Sequence, residues 1–131
     1  MGYRVIRAEE LAFEERPGHE GQAPRLAADL TGAAALRESR ARIWRYPPRT
    51  RGRRHRELAQ EEVFVVLAGT LTILLGDPPE RVDLGPGSVV SLEAGTAVQL
   101  RNESDGELTV FVYGAPAVAG QAEIIDDVPV L

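Results

Sequence analysis

Residues 52–69 read GRRHRELAQEEVFVVLAG. The stretch passes from arginines and one histidine, through paired carboxylates, into an apolar run that ends at Gly69. Residues 62–67 are short and rich in Val, which predicts a strand and disfavours a helix. Side chains alternate along a strand, so Glu62, Phe64 and Val66 share one face. His55 and Glu57 share parity in the same way.

The chain outward from this stretch repeats the pattern. Residues 70–75 form a second β-rich run, and Ala68-Gly69 between the two reads as a two-residue hairpin. Residues 76–81, with two prolines, and Gly85-Pro86-Gly87 are turns, and strands are expected over 82–84, 88–92, 97–100 and 108–113. Turns at such regular intervals predict an antiparallel sandwich or barrel. On the N-terminal side, residues 42–46 alternate, with Arg42, Trp44 and Tyr46 on one face and Ile43 and Arg45 on the other. Pro47-Pro48 interrupts pairing. Residues 3–7 read as a short strand and residues 9–15 as extended, with a helical turn over 8–12 as the alternative. Residues 16–24 are a loop holding His19, residues 25–30 a strand, and residues 33–36 extended despite their helix propensity. In the tail, residues 123–125 and 128–131 are expected to pack along an outer sheet.

The chain has 131 residues, a net charge of -5 and a pI near 5.1. That length suits one domain with one core. No apolar stretch approaches the roughly 20 residues that span a membrane, and residues 1–10 lack the apolar region of a secretory signal. A cytoplasmic protein with no membrane partner is expected. The acidic balance argues against nucleic acid as a partner. Cysteine is absent, which excludes thiol catalysis and iron–sulfur clusters. Lysine is absent too, all fifteen basic residues being arginine, so no Schiff base with pyridoxal phosphate (PLP) can form. Only His19 and His55 are present, so a three-histidine metal site cannot be built from one chain.

The order Gly52, His55, Glu57, Glu62, Gly69 resembles the first motif of the cupins, in which a Gly, a His-x-His pair, a Glu and a closing Gly frame a strand. Glu57 stands at the second His position. The run Gly87, Gly95, Asn102 resembles the second motif, with Glu93 in place of its Pro and Val98 in place of its His. The resemblance implies an all-β double-stranded β-helix, a jelly-roll barrel, with its core over about 36–114, an N-terminal arm over 1–35 and a tail over 115–131. It implies that His55, Glu57 and Glu62 converge on one pocket with Val98 opposite. It also implies a homodimer in which the N-terminal segment adds a strand to its own sheet or to a partner's.

One imidazole and two carboxylates form an acceptable site for one divalent metal, manganese, iron or zinc. With Val98 unable to ligate, weak or absent metal is the expectation. Trp44, Tyr46, Phe64, Phe111 and Tyr113 are candidates for the wall of a ligand pocket or for the core. Residues 42–56 carry seven arginines and no acid. These either bind an anionic small-molecule ligand through the guanidinium fork or neutralise surface acids such as Glu9, Glu10, Glu14 and Glu15. Three functions compete: a small-molecule-binding barrel of unassigned substrate, a metal-dependent dioxygenase or an isomerase or epimerase using His55, Glu57 and Glu62, and a metal-free structural or interaction module. The fold alone does not choose among them.

Overall fold

The computed structural model describes residues 2–19, 21–118 and 120–129. Its regular structure is almost entirely strand: β1 (Phe13–Arg16), β2 (Arg25–Asp29), β3 (Arg40–Tyr46), β4 (Thr50–Arg51), β5 (His55–Glu57), β6 (Glu61–Ala68), β7 (Leu71–Leu75), β8 (Glu80–Leu84), β9 (Val89–Leu92), β10 (Ala97–Asn102), β11 (Leu108–Ala115) and β12 (Ala122–Ile124). A four-residue helix α1 (Leu30–Ala33) interrupts them, and the segment expected to be extended over 33–36 is not: Ala33 ends the helix and Ala34-Ala35 turn, with Ala35 at φ +55°, as the helix propensity of the alanines allows. Its start is set by Asp29, whose carboxylate accepts the Thr31 N–H at 2.9 Å. Residues 3–7 form no strand, and a single 3₁₀ turn lies at Ala8–Glu10.

The strands make two antiparallel sheets. One has the order β1-β2-β3-β11-β6-β9; the other runs β12-β5-β10-β7-β8, with β4 also on β10. The all-β character expected from the sequence holds. The double-stranded β-helix jelly-roll barrel does not, because the two sheets are not closed into a barrel. Among the described residues no ladder joins them, so β1 and β9 are open edges of the first sheet, and β12 and β8 of the second. The physical reason lies at the corners where the chain changes sheet. Pro47, Pro48 and Pro86 have no N–H to extend a ladder, and Gly69 and Gly95 take φ of +81° and +87°.

Gly69 shows this most clearly. The hairpin expected there is a corner, since β6 belongs to the first sheet and β7 to the second. A Cβ at Gly69 would collide with the Glu107 carbonyl oxygen of the neighbouring corner. A second corner is clamped by Asn102, whose Nδ2 donates to the carbonyls of Tyr46 (2.9 Å), Pro47 (3.1 Å) and Gly106 (2.8 Å). The motif asparagine therefore holds backbone.

β1 pairs with β2 of its own chain. β12 lies beside β5, which places most of the expected 123–125 segment in the second sheet. Residues 130 and 131 of the expected 128–131 segment lie outside the described residues. The core fills the space between the sheets. Phe64, Val66, Leu108 and Val110 project from the first, and Leu71, Ile73, Val98 and Leu100 from the second. Among the described residues no helix is long and apolar enough to cross a membrane.

Candidate metal and ligand site

At one end the sheets enclose a cavity of about 400 Å³ in place of packed side chains. Strand alternation explains its lining. Every second residue of β3 faces inward, giving Arg40, Arg42, Trp44 and Tyr46, and β6 contributes Glu62 and Phe64. His55 and Glu57 reach the cavity from β5 of the opposite sheet. Of the residues singled out from sequence, Trp44, Tyr46, His55, Glu57, Glu62 and Phe64 thus line one space. Val98 is opposite His55 in the ladder but is packed into the core at 1% exposure. Phe111 and Tyr113 alternate with Val110 and Val112 on β11 and are not among the cavity residues; Tyr113 is 39% exposed.

His55, Glu57 and Glu62 each offer one ligand atom, and these atoms lie within 4.8 Å of one another. The His55 Nδ1 is 3.1 Å from the Arg53 carbonyl oxygen. A carbonyl only accepts, so Nδ1 carries the proton and Nε2 presents its lone pair. Nε2 lies 3.8 Å from a Glu57 carboxylate oxygen. Backbone contact thereby orients the imidazole as an outer partner orients a metal-bound histidine.

Glu62 is strongly perturbed. Burial pushes its carboxyl up from 4.5 to about 7, the nearby Glu57 charge pushes the same way, and Arg40 opposes both. The register explains the arginine. Glu62 stands opposite Gly114 on β11, and Gly114 opposite Arg40 on β3. Gly114 has no side chain to separate the two, and the Gln60 amide covers it while donating to the Pro116 carbonyl at 2.8 Å.

These residues fit a divalent cation. An imidazole nitrogen with a free lone pair and two carboxylates converge, and a cation would offset the burial and the Glu57 charge that raise Glu62. The position opposite His55 is Val98, which donates nothing, so among the described residues three candidate ligands converge here.

Sequence reasoning missed Arg25 and Arg40, because both precede the arginine-rich run. Arg25 arrives from β2 and donates to the Tyr46 hydroxyl at 3.2 Å. Most of the run itself is paired elsewhere: Arg45 with Glu107 (4.0 Å), Arg49 with Asp105 (2.7 Å), Arg51 with Asp127 (2.9 Å), Arg54 with Asp77 (3.3 Å) and Arg56 with Glu123 (3.9 Å). His19 lies outside the cavity, 3.8 Å from Asp127; burial, then Arg51, holds its pKa below the usual imidazole value.

The chain matches the cupin domain family over residues 42–114. It belongs to the cupins. The matched segment contains every metal-ligand candidate of this cupin and all its strands from β4 to β10. No curated protein matches it. Among solved structures, it is similar to the polyketide cyclase RemF from Streptomyces resistomycificus, with a TM-score of 0.76, 15% identity and coverage of 95% of this chain and 87% of that one. A predicted oxalate decarboxylase from Thermotoga maritima gives a TM-score of 0.74 at 17% identity, over 86% of this chain and 98% of the other. A cupin-superfamily sugar phosphate isomerase from Silicibacter pomeroyi gives 0.71 at 21% identity, over 86% and 76%. Likeness at such identities shows the fold of this cupin and leaves its chemistry to its own residues.

Proposed function

We propose that this cupin binds a small polar molecule in its cavity, beside a weakly held divalent metal on His55, Glu57 and Glu62. One observation carries the reading: three metal-ligating side chains from two sheets converge on a cavity of about 400 Å³. That size suits a small-molecule site. The donor set is richer in oxygen than in nitrogen, which favours manganese, magnesium or iron(II) over copper. When bound, the metal would polarise a ligand oxygen as a Lewis acid. The chain's own residues bind and enclose the ligand: Phe64 and Trp44 supply apolar wall, and Arg53 fixes the His55 tautomer. The test is a thermal-shift series with manganese, magnesium, zinc and iron(II). A rise in Tm that disappears in Glu57→Ala supports the reading; equal shifts in the native protein and the variant contradict it.

The partner reading is a homodimer formed through the outer face of the first sheet. Across its six strands, the residues in register are Phe13, Ala28, Ile43, Phe111, Val65 and Val89, an unbroken apolar row. Val89 is 62% exposed and Leu67, on the same face, 49%. Apolar rows of this length on an outer face favour association, and a twofold axis would lay the row against itself. Light scattering after size exclusion tests it. A dimer that Val89→Arg dissociates is expected, and a native monomer at high concentration contradicts it.

A further inference from the structure

Charges taken from water are normally paired, because an unpaired one carries a desolvation cost that nothing offsets. The β2–β3 side of the cavity, across β11 from Glu62 in the same sheet, departs from that rule. Arg25, Arg40 and Arg42 all line it. Among the described residues none of the three guanidiniums has a carboxylate within ion-pair distance. Arg25 uses one nitrogen on the Tyr46 hydroxyl, and its Nε is buried with no hydrogen-bond partner. Arg40 donates to the Val118 carbonyl at 3.1 Å. Arg42 makes no side-chain hydrogen bond there and lies over the Trp44 ring at 5.4 Å. Arg25 stacks on the same ring at 4.7 Å and on Tyr46 at 5.3 Å. The aromatic faces hold the two guanidinium planes in place.

We infer that Arg25, Arg40 and Arg42 form an anion seat inside the cavity, and that the ligand is a small phosphate monoester whose phosphate sits there. The inference rests on reading the cavity as a ligand site. Charge selects the phosphate. Burial holds the Arg42 pKa below its usual value; Asp29 opposes this, and Arg16, Arg40 and Arg25 add to it. Asp29 beside Arg42 and Glu62 across β11 from Arg40 offset part of the charge of the three guanidiniums, and net positive charge is left to match. A phosphate monoester carries about -1.5 to -2 near neutral pH and accepts paired guanidinium hydrogen bonds through three oxygens.

The register sets the ligand's orientation. β3 and β6 flank β11, so Arg40 and Arg42 stand two strand spacings from Glu62, about 9–10 Å between backbones, and Arg25 on β2 stands one spacing further. A phosphate on the β3 side therefore leaves the ligand's other end facing His55, Glu57 and Glu62. The seat binds and orients; the carboxylate–imidazole end meets the ligand's oxygens.

The test is calorimetric titration of the full chain with inorganic phosphate and with glucose 6-phosphate, against glucose and gluconate at matched ionic strength. Both phosphates are expected to bind and glucose not to. Arg42→Gln and Arg25→Gln should each weaken phosphate by on the order of tenfold or more. Arg42→Lys keeps the charge without the fork and should weaken it less. Without phosphate, Arg42→Gln should melt higher than the native protein, since it removes a partly buried charge that Asp29 offsets only in part; loss of an arginine with a purely structural role would lower the melting temperature. Phosphate affinity unchanged in both glutamine variants, or no phosphate binding at all, overturns the seat. Gluconate binding in place of phosphate, with the same arginine dependence, overturns the phosphate monoester. Manganese titration separates the two readings. Manganese binding without phosphate binding defeats the seat alone, and loss of both defeats the ligand cavity with it.

Discussion

The space between the two sheets has two ends, built by the same rule and put to different use. At the closed end, the inward residues of β6, β11 and β7 are Val66, Leu108, Val110, Leu71 and Ile73, all fully buried. At the open end, the inward residues of the same first sheet are Glu62, Gly114, Arg40 and Arg42, around a cavity. The backbone ladder runs through both without change of register on β3. What differs is whether each inward position fills space or presents charge. Strand geometry decides which side chains face in, and their chemistry decides whether the result is a core or a site.

The largest expected effect lies at the closed end. Ile73→Ala removes a fully buried side chain and should cost about 2–5 kcal/mol in a denaturant titration. A loss as small as that of a surface change would show that this end is not packed. At the open end the sign reverses. The Glu62 carboxyl titrates at about 7 in the folded protein against an ordinary 4.5. The folded state therefore binds the proton more tightly than the unfolded state. Its stabilising effect is present below 4.5 and is lost as pH rises to about 7, on the order of 3 kcal/mol in the metal-free protein. Glu62→Gln should flatten that slope in stability measured against pH, and an unchanged slope would remove the assignment.

The corner between these regions comes next. Asn102→Ala leaves three carbonyls without their donor and should cost roughly 1–3 kcal/mol in thermal or chemical unfolding. The smallest effect belongs to the outer face. Val89→Arg should change the stability of a dilute monomer by less than about 0.5 kcal/mol while altering association.

Much of this contrast was legible in the chain. The parity of His55 with Glu57, and of Glu62 with Phe64, follows from strand alternation, and the resemblance to the cupin motif implies that the two sets share one pocket. The arginines were not legible from position alone. Of those between residues 42 and 56, most answer nearby acids, whereas Arg25 enters the site from a strand two places away in the first sheet from β11. Only tertiary register supplies that fact. Gly69 misled for a related reason. A Gly between two β-rich runs fits a hairpin and a sheet-changing corner equally well, and the choice depends on the Glu107 carbonyl lying against it. Closure into a barrel is likewise decided by strand edges far apart in sequence. Phe111 and Tyr113 share the outer parity of β11, which becomes readable once Val110 is known to face in.

The measurement that tests the central claim most directly is manganese content after equilibrium dialysis, by elemental mass spectrometry, of the native chain beside His55→Ala. It belongs above the Glu62 titration, at about pH 8, because protons compete for the same carboxylate. About one manganese per chain is expected in the native protein, lost in His55→Ala and reduced at about pH 5.5. No stoichiometric manganese in the native protein, or the same content in both, would contradict a metal site built on His55, Glu57 and Glu62.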